Sequence, residues 1–244
     1  MKPSIFDKLR AGLIVSCQPD ADEPEEDPLN RPEIMAALAQ AAVAGGACAV
    51  RVDSPAHIAA VRAAVSVPVI GIYKVDLPGY AVRITPTLEL AAQISQAGAD
   101  ILAVDATARP RPQGESAAAF IRLLIEAAGK PILADVATFE EGLAAAEAGA
   151  AAVATTMSGY TSYSPRRFDP DFTLLEQLVK ALSIPVIAEG RFNTPTLASQ
   201  AIKRGAWAVT VGSAITRPRI ITHWFVREMR NPRNRKESKQ DDRE

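Results

Sequence analysis

Cysteine, histidine and aromatic residues are scarce in this chain, and so are net charge and long apolar runs. Only two cysteines, Cys17 and Cys48, occur in 244 residues, both within apolar segments. That excludes a disulfide framework and a cysteine metal site, and predicts free core thiols in a reducing, cytoplasmic setting. The two histidines, His57 and His223, fall on helical segments away from every strand end. No His, Asp or Glu cluster has metal-ligand spacing, so no metal is expected. Lys plus Arg (27) nearly cancels Asp plus Glu (28), which offers no charge-based case for a nucleic-acid or membrane partner. No apolar run is long enough to cross a bilayer, and the first ten residues lack the apolar region of a signal peptide. Apolar residues, at 48%, are abundant enough for a sizeable core in one large domain or two small ones.

Two phrases recur along the chain. One is led by proline: Pro68-Val-Ile-Gly-Ile-Tyr-Lys74, Pro131-Ile-Leu-Ala-Asp135 and Pro185-Val-Ile-Ala-Glu-Gly190. The other is led by glycine and follows an Ala-rich stretch, starting at Gly46, Gly98, Gly149 and Gly205. These glycines are 52, 51 and 56 residues apart, room for two strand-helix units per interval. Each suits the left-handed position that ends a helix. With Gly12-Leu-Ile-Val-Ser16, the phrases predict eight strands: 12–16, 47–51, 68–74, 100–105, 131–135, 151–156, 185–189 and 206–211. Helices are predicted at 31–44, 54–65, 86–97, 115–128, 139–148, 171–182 and 194–204, with Ser54, Thr85 and Thr194 as N-caps before prolines. Short apolar strands alternating with helices imply a parallel sheet covered outside, and eight units point to a closed (β/α)₈ TIM barrel. No glycine-rich dinucleotide fingerprint follows the first strand. The barrel should occupy residues 1–229 as a single domain. The acidic loop 19–28 and a polar, disordered tail over 230–244 fall outside the pattern.

Barrel enzymes carry their sites at the C-terminal ends of the strands. The residues predicted there are Ser16 with Gln18, Arg51, Lys74, Asp105, Asp135, Thr155 with Thr156, Glu189 with Gly190, and Gly212 with Ser213. Lys74, Asp135 and Glu189 stand at even offsets from their prolines, so each shares a face with the start of its strand. A converging ring of Lys, Arg and three acids would be costly without a ligand. The loops after strands 7 and 8 suit an anion: Gly190-Arg191 and Gly212-Ser213 allow close approach to backbone N–H groups, and Arg191 or Arg217 can add charge-assisted bonds. Lys74 fits three roles, as phosphate ligand, Schiff-base nucleophile or general base. Burial near Arg51 would lower its pKa and suit it to the last two. The polar stretch 158–167 is placed to lid the mouth.

Together these residues make the sequence resemble the N-acetylmannosamine-6-phosphate 2-epimerase family. The resemblance rests on Leu13-Ile-Val-Ser-Cys-Gln18, Gly71-Ile-Tyr-Lys74, Ile84-Thr-Pro-Thr87, Asp105-Ala-Thr with Arg109-Pro-Arg-Pro112, Thr155-Thr with Ser158-Gly-Tyr-Thr161, Ala188-Glu-Gly-Arg191 and Val211-Gly-Ser-Ala-Ile-Thr-Arg-Pro218. It runs from about residue 7 to 228. It implies interconversion of N-acetylmannosamine 6-phosphate and N-acetylglucosamine 6-phosphate in sialic acid catabolism, without a redox cofactor. It further implies Lys74 as catalytic acid/base with Glu189 as partner acid. Gln18, Arg51, Asp135, Thr156 and Arg217 would contact substrate, and Gly190, Gly212 and Ser213 would cradle phosphate. The acidic loop and polar tail depart from the family's compact form. A Schiff-base aldolase and a non-catalytic sugar-phosphate sensor are the competing readings. Exposed apolar helix faces would indicate a homodimer, but sequence alone does not separate them from core faces.

Overall fold

The four phrase-opening glycines, Gly46, Gly98, Gly149 and Gly205, have φ of 99°, 104°, 97° and 94°, turning the chain from each helix into the next strand. In the computed structural model, which describes residues 4–20 and 26–230, this repeat closes eight parallel strands into a barrel in sequence order. The strands are β1 Gly12–Cys17, β2 Ala49–Asp53, β3 Val69–Ile72, β4 Ile101–Asp105, β5 Ile132–Asp135, β6 Ala152–Ala154, β7 Val186–Glu189 and β8 Ala208–Val211. Between them run α1 Pro32–Ala44, α2 Pro55–Ala64, α3 Leu88–Gln96, α4 Ala117–Ala128, α5 Phe139–Glu147, α6 Phe172–Ala181 and α7 Pro195–Lys203. After β8 come a short α8, Ser213–Thr216, and α9, Pro218–Met229. The tail beyond Arg230 and much of the acidic loop 19–28 lie outside the described residues. Among the described residues no helix is long and apolar enough to cross a membrane.

The barrel interior is filled by strand parity. Odd strands contribute large residues, Ile14, Ile70, Ile72, Leu133 and Ile187, while even strands contribute mostly alanine, at 49, 103, 152, 154 and 208. Pairing bulky with small side chains fills a closed barrel without voids. The N-terminal end is plugged by a short 3₁₀ helix, Ile5–Leu9, whose Phe6 and Leu9 join this inner cluster. Trp207 Nε1 donates to Phe6 O at 2.7 Å and fixes the plug to the start of β8. The outward strand residues, Val50, Val69, Leu102 and Val153 among them, pack beneath the helices.

Several boundaries differ from the sequence reading, for local reasons. β2 begins at Ala49 rather than 47, because Ala47 N still donates to Ala42 O in closing α1. Arg51 is therefore mid-strand, and Asp53 takes the strand end. The β3 ladder stops at Ile72, and Lys74 is held by an isolated antiparallel bridge to Ile84. Thr85 is not an N-cap: α3 starts two residues later than predicted, with the Thr87 hydroxyl accepting from Leu90 N. Ser54 precedes α2 at φ 71° without a side-chain cap bond, whereas Thr194 caps α7 by accepting from Leu197 N.

The helix that should cover β8 and β1 does not do so. No residue of α9 is buried, and Phe225 and Met229 are 67% and 77% exposed. Over β8 and β1 lies a groove of about 380 Å³, lined by Leu13, Phe192, Ala198, Ile202, Val209 and Ile215 among others.

Gly71 is the tightest point of the β3 wall, since a Cβ there would lie 2.6 Å from Ala99 Cβ and 3.0 Å from Ile58 Cδ1. Gly71→Ala should therefore destabilise the barrel by about 1–3 kcal/mol through overpacking, read as a lower urea midpoint at unchanged slope.

Candidate active site

Two residues beyond the last inner apolar residue, every strand presents a polar group. Ile14 is followed by Ser16, Ala49 by Arg51, Ile72 by Lys74 and Ala103 by Asp105. Leu133 is followed by Asp135, Ala154 by Thr156, Ile187 by Glu189 and Ala208 by Thr210. The side-chain period of two carries the barrel's inward face from an apolar plug to a polar ring in one step. All but Asp135, which lies beneath, line a cavity of about 520 Å³ at the mouth.

Arg51 is the hub of this ring. Its guanidinium, 1% exposed, donates to both oxygens of Asp135 at 2.9 and 2.6 Å and to Glu189 Oε2 at 2.9 Å. Thr156 Oγ1 donates to Asp135 Oδ1 at 2.6 Å. Asp135 is thus spent on holding Arg51 and Thr156. Burial works against the Arg51 charge, but Asp135 and Glu189 outweigh it and hold the guanidinium above its ordinary pKa. Glu189 is pushed up, first by burial and then by the like charge of Asp135, against the pull of Arg51 and Lys74. The Thr210 hydroxyl faces it without closing a standard hydrogen bond. The backbone of Glu189 is pinned by Thr155, whose hydroxyl donates to Glu189 O at 2.9 Å and accepts from Glu189 N at 3.0 Å.

Lys74 projects from beyond β3 into the same cavity, with Nζ donating to Gln18 Oε1 at 2.6 Å. Burial lowers its pKa to about 8. Arg217 and Arg51 push it in the same direction, while Asp53 and Glu189 oppose them. A primary amine poised there is available as the free base near neutral pH.

The remaining wall is built by the loops after β7 and β8. Gly190 and Arg191 have φ of 105° and 64°, a consecutive left-handed pair that turns the loop sharply. The Arg191 side chain is not free for an anion: it donates to Ser158 O at 2.9 Å and stacks over Tyr160 with its guanidinium 4.2 Å from the ring centre. Gly212 and Ser213 open α8, so the N–H groups of Ser213 and Ala214 have no acceptor within the helix. Arg217 lines the cavity, and its Nε has no hydrogen-bond partner among the described residues. The structure brings Gln18, Arg51, Lys74, Thr156, Glu189, Gly190, Arg191, Gly212, Ser213 and Arg217 to one cavity.

Sequence reasoning missed Asp53, hidden by the two-residue error in β2, and Thr210, which the interval of two after Ala208 would have found. It also placed His57 away from strand ends, yet the side chain is buried with Nδ1 3.1 Å from Asp53 O. Asp105 lines the cavity as expected, but its carboxylate is engaged by its own loop: Oδ1 accepts from Thr107 N at 3.0 Å and the group pairs with Arg109.

A barrel of this kind hosts many chemistries, so site and relatives must decide among them. The relatives make this a (β/α)₈-barrel enzyme of the isomerase class. Residues 35–231 match the family described as "Putative N-acetylmannosamine-6-phosphate epimerase", and the chain belongs to that family. A protein of Caldanaerobacter subterraneus subsp. tengcongensis named "Putative N-acetylmannosamine-6-phosphate 2-epimerase" is 46% identical, over 93% of this chain and 94% of its own. One of the same name from Thermosynechococcus vestitus is 50% identical over 86% and 89%. The solved N-acetylmannosamine-6-phosphate 2-epimerase of Clostridium perfringens is 39% identical with a TM-score of 0.86, over 93% of this chain and 96% of that one. A thiamine phosphate pyrophosphorylase from Pyrococcus furiosus, 19% identical with a TM-score of 0.58 over 87% and 90%, shares the fold alone.

Replacing Arg51 by methionine would strand two carboxyls at the base of the cavity. Arg51→Met should cost about 3–5 kcal/mol at pH 7. Without the guanidinium, Glu189, already pushed up by burial, would take a proton more readily in the folded state, so part of the loss should return as pH falls toward 5, read by urea unfolding at the two pH values.

Proposed function

We propose that this enzyme interconverts N-acetylmannosamine 6-phosphate and N-acetylglucosamine 6-phosphate, using Lys74 as the acid/base group. The observation that carries this reading is Lys74 itself, an amine of lowered pKa in the same cavity as Glu189 and the loops after β7 and β8. In the open-chain sugar, C2 lies beside the C1 aldehyde and its hydrogen is acidic. Neutral Lys74 takes that proton; the C2–H electron pair moves into the C1–C2 bond, and the carbonyl becomes an enolate. Glu189, with its raised pKa, and the donors around it stabilise the new charge. Return of a proton to the opposite face of C2 inverts the centre.

The phosphate is assigned to the side of the mouth built from Gly190, Gly212, Ser213 and Arg217, where free helix N–H groups and a guanidinium meet. Arg191 serves there through its backbone N–H, since its side chain is committed to the β6 loop. Arg51, held by Asp135, and Gln18 orient the sugar end. This reading places the enzyme in sialic acid catabolism, and its two free thiols fit a cytoplasmic setting.

We infer further that the protein works as a homodimer. The uncovered groove over β8 and β1 and the unburied apolar face of α9 belong to one chain and complement each other. A second copy supplies an occupant for each, with α9 of one protomer covering the groove of its partner.

Incubation with N-acetylmannosamine 6-phosphate in heavy water, followed by NMR, should show deuterium at C2 in both epimers. Absence of exchange and of epimer would overturn the proposal, and a borohydride-trapped adduct on Lys74 would favour an aldolase. Lys74→Met should abolish exchange and stabilise the fold at pH 7. The folded pKa, about 8, lies below the ordinary 10.5. Holding the ammonium at neutral pH thus has a cost that eases as pH rises between those values. After discounting for solvent screening, the gain should be on the order of 1 kcal/mol in urea unfolding. For the assembly, Phe225→Asp should shift the light-scattering mass from two chains to one; an unchanged mass would refute the α9 contact.

A further inference from the structure

Lys74 stands two residues past the end of the β3 ladder, where a strand terminus ordinarily frays, yet its backbone is gripped from both sides. On the β2 side, Lys74 N donates to Asp53 Oδ1 at 2.9 Å. On the β4 side, the residues around Lys74 pair with the segment before α3. Thr85 N donates to Tyr73 O at 2.8 Å and Val75 N to Arg83 O at 3.1 Å. Tyr73 N donates to Thr85 Oγ1 at 3.1 Å, and that hydroxyl donates onward to Ala103 O at 2.8 Å.

Both jaws of this grip contain a residue in a disfavoured conformation. Ser54 and Thr85, at φ 71° and 49°, are two of only four non-glycine residues with positive φ among those described. Such strain persists where the surroundings over-determine it, and it collects at functional sites. Ser54 is fastened by its N–H to Ile72 O at 3.0 Å, and His57 Nδ1 closes on Asp53 O at 3.1 Å. Neither Asp53 nor Thr85 lines the cavity, so neither reaches a bound sugar; their effect passes through Lys74.

We propose that Asp53 is a positioning residue for Lys74, its carboxylate fixing the lysine's backbone and its charge favouring the protonated side chain. The proposal rests on Lys74 as the base. The charges facing Lys74 are Asp53 and Arg51 from β2, Glu189 from β7 and Arg217 from the start of α9; its direct partner Gln18 is neutral. The two arginines disfavour the ammonium and the two acids favour it. Asp53 is the largest of the favourable influences. It in turn faces Lys74, His57 and Arg51. Without its charge the balance tips toward free amine, and the lysine would release its proton at lower pH.

Asp53→Asn isolates the charge, because the amide oxygen still accepts from Lys74 N. The acid limb of the kcat/KM profile should move to lower pH by about one unit, with KM little changed. Asp53→Glu keeps the charge but misplaces the grip; it should lower kcat about tenfold, a loss in line with known positioning effects, and leave the limb in place. An independent readout is the pH dependence of trace acylation of Lys74, located by peptide mass spectrometry, which needs no turnover. It should shift down in Asp53→Asn and stay put in Asp53→Glu. An unmoved acylation profile in Asp53→Asn overturns the proposal. A shifted acylation profile with an unmoved kinetic limb keeps the charge coupling and refutes Lys74 as the base instead. If Asp53→Asn does not fold, an Asp53→Glu profile displaced from the wild type overturns it.

Discussion

A fully buried guanidinium has to be answered by acceptors, and at Arg51 those acceptors are carboxylates that organise the barrel mouth. Arg51 can sit inside the ring only because Asp135, from three strands away, meets it with both oxygens and Glu189 meets it from the far wall. Removing Arg51 takes the cationic partner from both carboxyls at once, so the guanidinium ties the three into one energetic unit. The unit also sets its neighbours' chemistry. It engages both oxygens of Asp135, while Glu189, pushed up first by burial and then by the like charge of Asp135, is pulled back by Arg51. Its two ends act oppositely on Lys74: Arg51 disfavours the ammonium and Glu189 favours it.

Lys74 and Glu189 are both displaced from their ordinary pKa values, chiefly by burial, in opposite directions and toward each other. That is the arrangement proton transfer near neutral pH calls for, because base and acid can each exist in the less usual form. It is not an arrangement that stability would select. The barrel tolerates it because the layer beneath is continuous apolar packing, from Ile14 and Ile187 down to Phe6 and Leu9. The strained backbone at Ser54, Thr85 and Arg191 lies along the same rim. The apolar half of each strand supports what its polar end costs.

Much of this was legible in the sequence because a parallel strand writes its two faces as alternate letters. Lys74, Asp135 and Glu189 were found by counting even offsets from their prolines. The glycine spacing carried the eight-unit repeat. Reading failed where local hydrogen bonding moves a boundary without altering composition. The hydrogen bonding that closes α1 reaches to Ala47, so β2 starts late and Asp53, not Arg51, stands at its C-terminal end. Thr85 before a proline resembled a cap, but its hydroxyl serves Tyr73 and Ala103, two partners remote in sequence. Arg191 looked like an anion ligand; its stacking on Tyr160 depends on how two loops approach, which no single-strand pattern records. Composition describes what a segment can be, while long-range hydrogen bonds decide where it stops.

Strand β8 carries a further coupling. Its outer face, through Val209 and Val211, is the floor of the uncovered groove, and its inner face, through Thr210, is part of the polar ring. The short helix that follows is shared in the same way: Ala214 and Ile215 line the groove, while Ser213 and Arg217 line the cavity. Whatever settles into the groove packs against the four residues that aim the Ser213 N–H and the Arg217 guanidinium. In a close-packed interior, a helix this short has no independent rigidity and takes its position from what lies on either side. The Ser213 and Arg217 side of the cavity and the outer wall of the barrel are therefore not separable surfaces. Lys74 and Arg51 stand on other strands, but Arg217 faces Lys74 and Gln18, just past β1, accepts from Lys74 Nζ, so what packs against this seam bears on the Lys74 side of the cavity as well.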